Sequence, residues 1–420
     1  MFACLVAFVA IVARLVLLVW AGTSPETSLT GGSDTLAYQT LADSIVHLRG
    51  MTYAGMPTAL RAPLYPIFLA LLQLAFGPHY RFVARLIQFF VGIAMAVVCA
   101  RTSEKIGGVG TIALTTALAL PTLIFFSPEL LTETFATLFV AVFFWMVIEN
   151  GSPIAIGAVI GFAMLTRFNL TALAVVYVVY QLATKKFGVA VREVSVAGLI
   201  ALAIVSPWFV RNLVVFGGQT LYSTNTGMNF LEGLAPPDGR VHGDDWDKLS
   251  SRSGYTLYDM EVNSAARLAL PSEPELDRKA MRAALAELAH VNLFQLAAKK
   301  LSYFWLSFDQ VFRTQDVELS KRVLRLAGVF IYWIFLAMGL RGWMKCKQRS
   351  PDVALLFVIY AIVVTCLHLP FVMSTRIRTP FVEPALAILV GCAFTLPVRS
   401  SRFSGTLPFP PSRGKLTKIQ

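Results

Sequence analysis

Phe2-Ala-Cys-Leu-Val-Ala-Phe-Val-Ala-Ile-Val-Ala-Arg-Leu-Val-Leu-Leu-Val-Trp-Ala21 is the stretch that decides the fold class. It is an apolar run of membrane-crossing length with a single charge, Arg14, in its middle. It lacks a basic leader and a small-x-small cleavage site, so it reads as a retained first span, with Arg14 snorkelling or paired inside a bundle. The rest of the 420 residues is of the same kind: 56% hydrophobic, 14% charged, mean hydropathy +0.66. That balance predicts an all-α polytopic membrane protein. The net charge of +12 is spread over short loops and a tail rather than one stripe, which argues against nucleic acid as a partner and for a role in setting orientation. The five cysteines have no disulfide or zinc spacing, and neither do His47, His79, His242, His290 and His368.

Nine further spans follow at 83–101, 109–127, 131–149, 153–166, 170–184, 194–211, 323–341, 353–372 and 380–397, making ten. The apolar run 63–77 is left out because its 15 residues fall short of the roughly 20 that cross the hydrocarbon. Parity agrees. With 63–77 not crossing and the amino terminus cytoplasmic, the basic segments at Arg101–Lys105, Lys185–Arg192, Arg341–Arg349 and the tail all fall inside, as the positive-inside rule asks. The chain is thus expected to be a multi-pass protein of the plasma (inner) membrane with both termini cytoplasmic.

This topology divides the chain into a transmembrane module (1–211), a large outer loop (212–321), C-terminal spans (322–397) and a basic Ser/Pro tail (398–420) expected to be disordered. Within the module, a first outer loop over 22–82 carries two juxtamembrane helices, one at Leu36–Leu48 and one at 63–77. The second outer loop holds a polar, acidic run at Pro236–Asp247, a helix at Glu275–His290 and an interfacial aromatic stretch, Leu301–Phe308. Pro207-Trp208 reads as a helix kink with an interfacial anchor.

The outer face then gathers Asp34, Tyr38, Arg61, Tyr65, Glu129, Glu133, Arg167, Arg211, Asn212, Arg376 and Arg378 from separate loops. Arginine in short outer loops runs against the orientation signal, so an anion outside is the natural partner. A guanidinium grips phosphate bidentately, and lipid phosphate is the anion at hand. Carboxylates beside such a clamp suit transfer of a sugar from a lipid phosphate to a hydroxyl. A base takes the acceptor proton while cations stabilise the departing phosphate. Asp34 fits the base. Glu133 fits positioning of the acceptor, or a divalent cation shared with Asp34; no other cofactor can be read. Each has a bland competitor: Asp34 sits where a helix cap would, Glu133 and Glu129 where acids complement a helix start, and the arginines where headgroup anchors lie.

Asp34-x-x-x-Tyr38, Arg61-Ala-Pro-Leu-Tyr-Pro66, Leu131-Thr-Glu133, Leu165-Thr-Arg167, Pro207-Trp-Phe-Val-Arg-Asn212 with Phe216-Gly217, Ser223-Thr-Asn-Thr-Gly-Met-Asn229 and Arg376-x-Arg378-x-Pro380, taken in order over residues 14 to 390, resemble the markers of bacterial C-type (GT-C) glycosyltransferases. That group is related to protein O-mannosyltransferases and lipid A aminoarabinose transferases. Ala62 stands where relatives carry proline, and Ile377 where they often carry an aromatic. The resemblance implies a GT-C fold, a polyprenyl-phosphate-linked sugar as donor, and a glycolipid, glycan or protein acceptor in envelope glycan biosynthesis. It also implies transfer on the outer, periplasmic face of the membrane, with Asp34 as base. Two other classes stay open. A secondary transporter would show matching halves and midplane charges; a non-catalytic polytopic partner in an envelope assembly would not need acids and arginines on one face.

Overall fold

The computed structural model describes residues 2–22, 33–53, 55–234, 272–307 and 319–394. The polar run 236–247, Phe308 and the tail from 398 lie outside the described residues. In chain order the helices are α1 (Phe2–Ala21), α2 (Ser33–Val46), α3 (Leu64–Phe76), α4 (Tyr80–Lys105), α5 (Gly110–Ala119), α6 (Pro121–Phe126), α7 (Glu133–Ile148) and α8 (Pro153–Thr166). After them come α9 (Ala172–Thr184), α10 (Phe187–Val215), α11 (Thr226–Leu234), α12 (Glu273–Glu287), α13 (Leu293–Leu306), α14 (Leu319–Arg349), α15 (Pro351–His368) and α16 (Thr375–Ala393). The strands among the described residues are one hairpin, Thr52–Tyr53 paired antiparallel with Met56–Pro57. The protein is an all-α polytopic membrane protein.

Of the ten expected spans, five fall in stretches long and apolar enough to cross a membrane: α1, 64–105 (α3 and α4 taken together across the 3₁₀ turn), α10, α14 and α15. Four are shorter. The run 109–127 breaks into α5 and α6 because Pro121 has no N–H and disfavours helical backbone at Leu120, which is extended (ψ 121°). α8 stops where Arg167 turns extended (φ −148°, ψ 130°), and α9 resumes beyond a 3₁₀ turn. α7 has 16 residues. The tenth, α16, is buried nearly end to end and is the axis of the bundle, packed by α4, α5, α7 and α14. α3, with 13 residues, spans about 20 Å against a hydrocarbon core of about 30 Å. It lies against α2 and is divided from α4 by the 3₁₀ turn Gly77–His79.

Arg14, buried at 3% exposure, finds its partners in the broken helix. It donates to the carbonyls of Leu118 (3.1 Å) and Leu123 (2.9 Å), on either side of the Pro121 break. A proline that frees carbonyls in lipid is tolerated where another group satisfies them.

Close helix contacts are made by small residues, as expected where helices share an apolar solvent. A Cβ on Gly342 would collide with the Leu389 carbonyl of α16, and one on Gly157 with the Ala197 carbonyl of α10. Gly342→Leu should therefore lower the melting temperature of detergent-solubilised protein sharply, by an overpacking penalty of about 3 kcal/mol. Gly198→Leu is the control, since nothing lies within 4 Å of its would-be Cβ; equal melting of the two variants would contradict this packing.

The two ends of the bundle differ. At one, Lys105 pairs with Glu149 (2.8 Å), Lys185 with Glu193 (2.7 Å), and Arg349 donates to the Gly107 carbonyl. The other end holds the acid and arginine cluster.

Candidate active site

Five elements converge on one side-chain cluster. Asp34 is in the first turn of α2, Arg61 in the loop before α3, Glu133 at the start of α7, Arg167 just past α8, and Arg376 in the first turn of α16. Arg61 donates through Nη2 to Asp34 Oδ1, and Arg376 through Nη1 to Asp34 Oδ2. The Nε of Arg376 reaches Glu133 Oε1 at 2.5 Å, and the same oxygen accepts from Arg167 Nη1 at 2.9 Å. Arg376 thus bridges both acids. In the described ion pairs of the cluster, three guanidiniums face two carboxylates.

Exposure within the cluster is graded. The side chains of Asp34, Arg61 and Arg376 are 26%, 32% and 27% exposed, whereas Glu133 is at 1%. Asp34, Arg61 and Arg376 form a rim open to solvent, and Glu133 is the floor. Glu133 Oε2 is buried without a hydrogen-bond partner among the described residues. A buried carboxylate oxygen left so is costly unless a ligand completes it.

Burial alone would raise the Asp34 carboxyl, but Arg61 and Arg376, with Arg167 behind them, hold it well below the usual carboxylate range. Asp34 is an anion gripped on both oxygens, and a weak base while it stays gripped.

Tyr38 and Tyr65 line the cluster as an aromatic wall, their rings edge to face at 5.2 Å. Burial pushes the Tyr65 phenol up, so it stays neutral and donates to Gln88 Oε1 at 2.6 Å. Gln88 passes the chain on to the Glu129 carbonyl at 2.6 Å. Glu129, 2% exposed, is a buried neighbour of this wall through its carbonyl's bond from Gln88.

The remaining expected residues stand apart. Arg378, two residues from Arg376, is fully buried; it pairs with Glu383 (2.6 Å), reaches Ser307 Oγ, and lies over the Tyr332 ring at 4.2 Å. Glu383 also accepts from Thr122 Oγ1 at 2.9 Å. Arg211 donates to the carbonyls of Thr58 and Met51, both at 2.9 Å, and Asn212 to that of Leu221 at 3.1 Å. Arg211 ties the Met51–Thr58 hairpin segment to α10 and Asn212 ties the Leu221–Tyr222 turn to it, beside Trp208, whose Nε1 donates to the Tyr222 carbonyl at 2.8 Å.

Several polar groups went unflagged in the sequence. Arg85, fully buried, donates to the carbonyls of Pro128 (2.9 Å) and Gly22 (2.7 Å) and so holds the loop that delivers Glu133. Gln88 and Glu383 were equally legible as polar residues inside apolar spans, where such groups are rarely idle.

A divalent cation fits this set poorly. Both Asp34 oxygens and Glu133 Oε1 are already taken by guanidiniums, whereas such a cation seeks several oxygen ligands on a negative site. Arg376 stands where a shared cation would, touching both acids itself.

No family model matches the chain, and no curated protein does. Among solved structures the chain is similar to ArnT from Cupriavidus metallidurans bound to undecaprenyl phosphate, at 16% identity over 91% of this chain and 77% of that one, with a TM-score of 0.41. The apo state of the same protein gives 15% identity, the same coverage and the same TM-score. An Archaeoglobus fulgidus oligosaccharyltransferase in complex with zinc and sulfate is similar at 11% identity and a TM-score of 0.48, over 92% of this chain and 48% of that one. At TM-scores below 0.5 these likenesses carry neither a fold family nor an activity.

Proposed function

We propose that this protein is a membrane glycosyltransferase of the GT-C kind, moving a sugar from a polyprenyl-phosphate-linked donor to an envelope acceptor on the outer face of the membrane. The observation that carries the reading is the five-residue cluster at one end of a membrane bundle: two acids with distinct exposures, bridged and flanked by three arginines.

The donor's phosphate competes with Asp34 for Arg61 and Arg376. As the guanidiniums turn to the phosphate, Asp34 is released and its basicity recovers. Asp34 then takes the proton of an acceptor hydroxyl, and the acceptor oxygen bonds to the anomeric carbon. The bond from that carbon to the phosphate oxygen breaks, and polyprenyl phosphate leaves with the electron pair, its charge met by the arginines. Glu133 Oε2, on the floor, accepts a hydroxyl or amine hydrogen from substrate and orients it.

Two tests follow from this geometry. Because Asp34 is held ionised until donor arrives, the acid limb of kcat/KM, which reports the free enzyme, should lie at lower pH than the acid limb of kcat, which reports the donor complex. The sign comes from guanidinium partners lost on binding; coincident limbs would contradict arming by the donor. Transfer should also persist in membranes washed with EDTA, and loss restored by a divalent cation would overturn the metal-free reading.

The substrates can be found by mass analysis of envelope glycolipids and glycans from cells with and without the protein. A sugar missing from one component identifies donor and acceptor together. An unchanged glycan profile with altered uptake of a solute would favour a transporter instead.

A further inference from the structure

We propose that Glu273, at the start of α12 in the large outer loop, is a positioning residue for Arg61. The inference rests on the phosphate-binding role given to Arg61 above. Its geometry is that of a splint. Glu273 Oε2 accepts from the Ala59 backbone N–H (3.0 Å) and from Thr224 Oγ1 (2.8 Å). Thr224 N–H donates in turn to the Ala59 carbonyl (3.3 Å), Asn225 Nδ2 to the Leu60 carbonyl (2.9 Å), and Arg211 Nη1 to the Thr58 carbonyl (2.9 Å). Three successive residues, 58 to 60, are fixed through their backbones by groups from the outer loop and the end of α10. Arg61 follows directly and reaches Asp34.

Within the stretch one bond is local, from the Leu60 N–H to Thr58 Oγ1 (3.1 Å). It belongs to no helix or strand, so its other backbone groups depend on partners from elsewhere. Thr58 and Ala59 are nonetheless buried, at 1% and 0% exposure. Glu273 is itself anchored. It opens α12, whose first turn is closed by a capping box between Ser272 and Glu275. One turn on, Asp277 accepts from the Gly227 N–H of α11 at 2.7 Å, and α11 approaches so closely that a Cβ on Gly227 would strike the Asp277 carbonyl. Burial raises the Asp277 carboxyl, and the N–H groups of Gly227 and Met228 oppose that rise. The outer loop thus grips the segment that carries one arginine of the clamp, and a shift of α12 would be felt at Arg61.

A displacement of about 1 Å in a positioning group can cost on the order of a hundredfold in function. Full-length protein carrying Leu60→Cys is treated with a water-soluble maleimide, and labelling at position 60 is read by mass spectrometry. Glu273→Ala should raise the labelling rate severalfold, Thr224→Val by less, and Glu273→Gln hardly at all, since one amide oxygen can accept both hydrogen bonds. Unchanged labelling in Glu273→Ala overturns the splint. The second readout is retention of undecaprenyl phosphate as a probe, by native mass spectrometry. Glu273→Ala should weaken it about tenfold, equivalent to about 1.4 kcal/mol, and should weaken it no further in protein already carrying Arg61→Ala. Additive losses would show Glu273 acting elsewhere and reject the inference. If Arg61→Ala alone leaves probe retention intact, the phosphate role of Arg61 fails, while the labelling arm still decides whether Glu273 orders the segment.

Discussion

Asp34→Asn is expected to lower turnover by on the order of a thousandfold, within the range that a lost general base costs, while protein abundance in membranes stays unchanged. Asparagine keeps the size of the side chain and one acceptor oxygen, so Arg61 retains a partner and α2 its place. What disappears is the group that takes the acceptor proton. The substitution also removes a negative charge facing three guanidiniums, so the pull on an anionic donor rises rather than falls. The signature is a collapse of kcat with the donor requirement equal or lower. Retained turnover would remove Asp34 from the chemistry, and a raised donor requirement with normal kcat would make it a binding residue.

Arg376→Ala is expected to raise the donor concentration for half-maximal rate by on the order of a hundredfold, since charge-assisted hydrogen bonds are worth about 1.5–3 kcal/mol each. Arg376 bridges Asp34 and Glu133, and its loss removes the guanidinium that touches both acids. Arg378→Ala should behave differently, although it is only two residues away. It strands Glu383, which is fully buried, and removing one partner of a buried pair costs about 3–5 kcal/mol. Its effect should appear as lost abundance and a lower melting temperature, partly recovered by Arg378→Met with Glu383→Leu. Equal donor effects from the two arginines would refute the division of labour drawn from their contacts.

That division marks where sequence reading stopped. Parity and the distribution of loop cations were enough to bring Asp34, Arg61, Glu133, Arg167 and Arg376 to one face, because a membrane leaves a chain only two sides. They could not separate Arg376 from Arg378. Within one helix, residues two apart point away from each other, but the expected span began at 380 and left both arginines in a loop. Glu383 was readable as a charge inside an apolar run, and with it the partner of Arg378. Arg211 and Asn212 were grouped with the site because they end a span on the same face. Their use is to hold the Met51–Thr58 loop and the Leu221–Tyr222 turn, which depends on backbone carbonyls that no side-chain pattern reveals. Arg14 had no nameable partner for the same reason: its acceptors are carbonyls beside the Pro121 break.

The place of α16 has a consequence for how the molecule is made. A ribosome delivers the chain from its amino end, so four of the five cluster residues are threaded into the bilayer long before residue 376 emerges. Until then Asp34 and Glu133 lack the guanidinium that joins them, and the slot between α4, α5, α7 and α14 stands without its axial helix. Assembly therefore closes on its last described helix, whose insertion completes both the packing and the acid–arginine cluster.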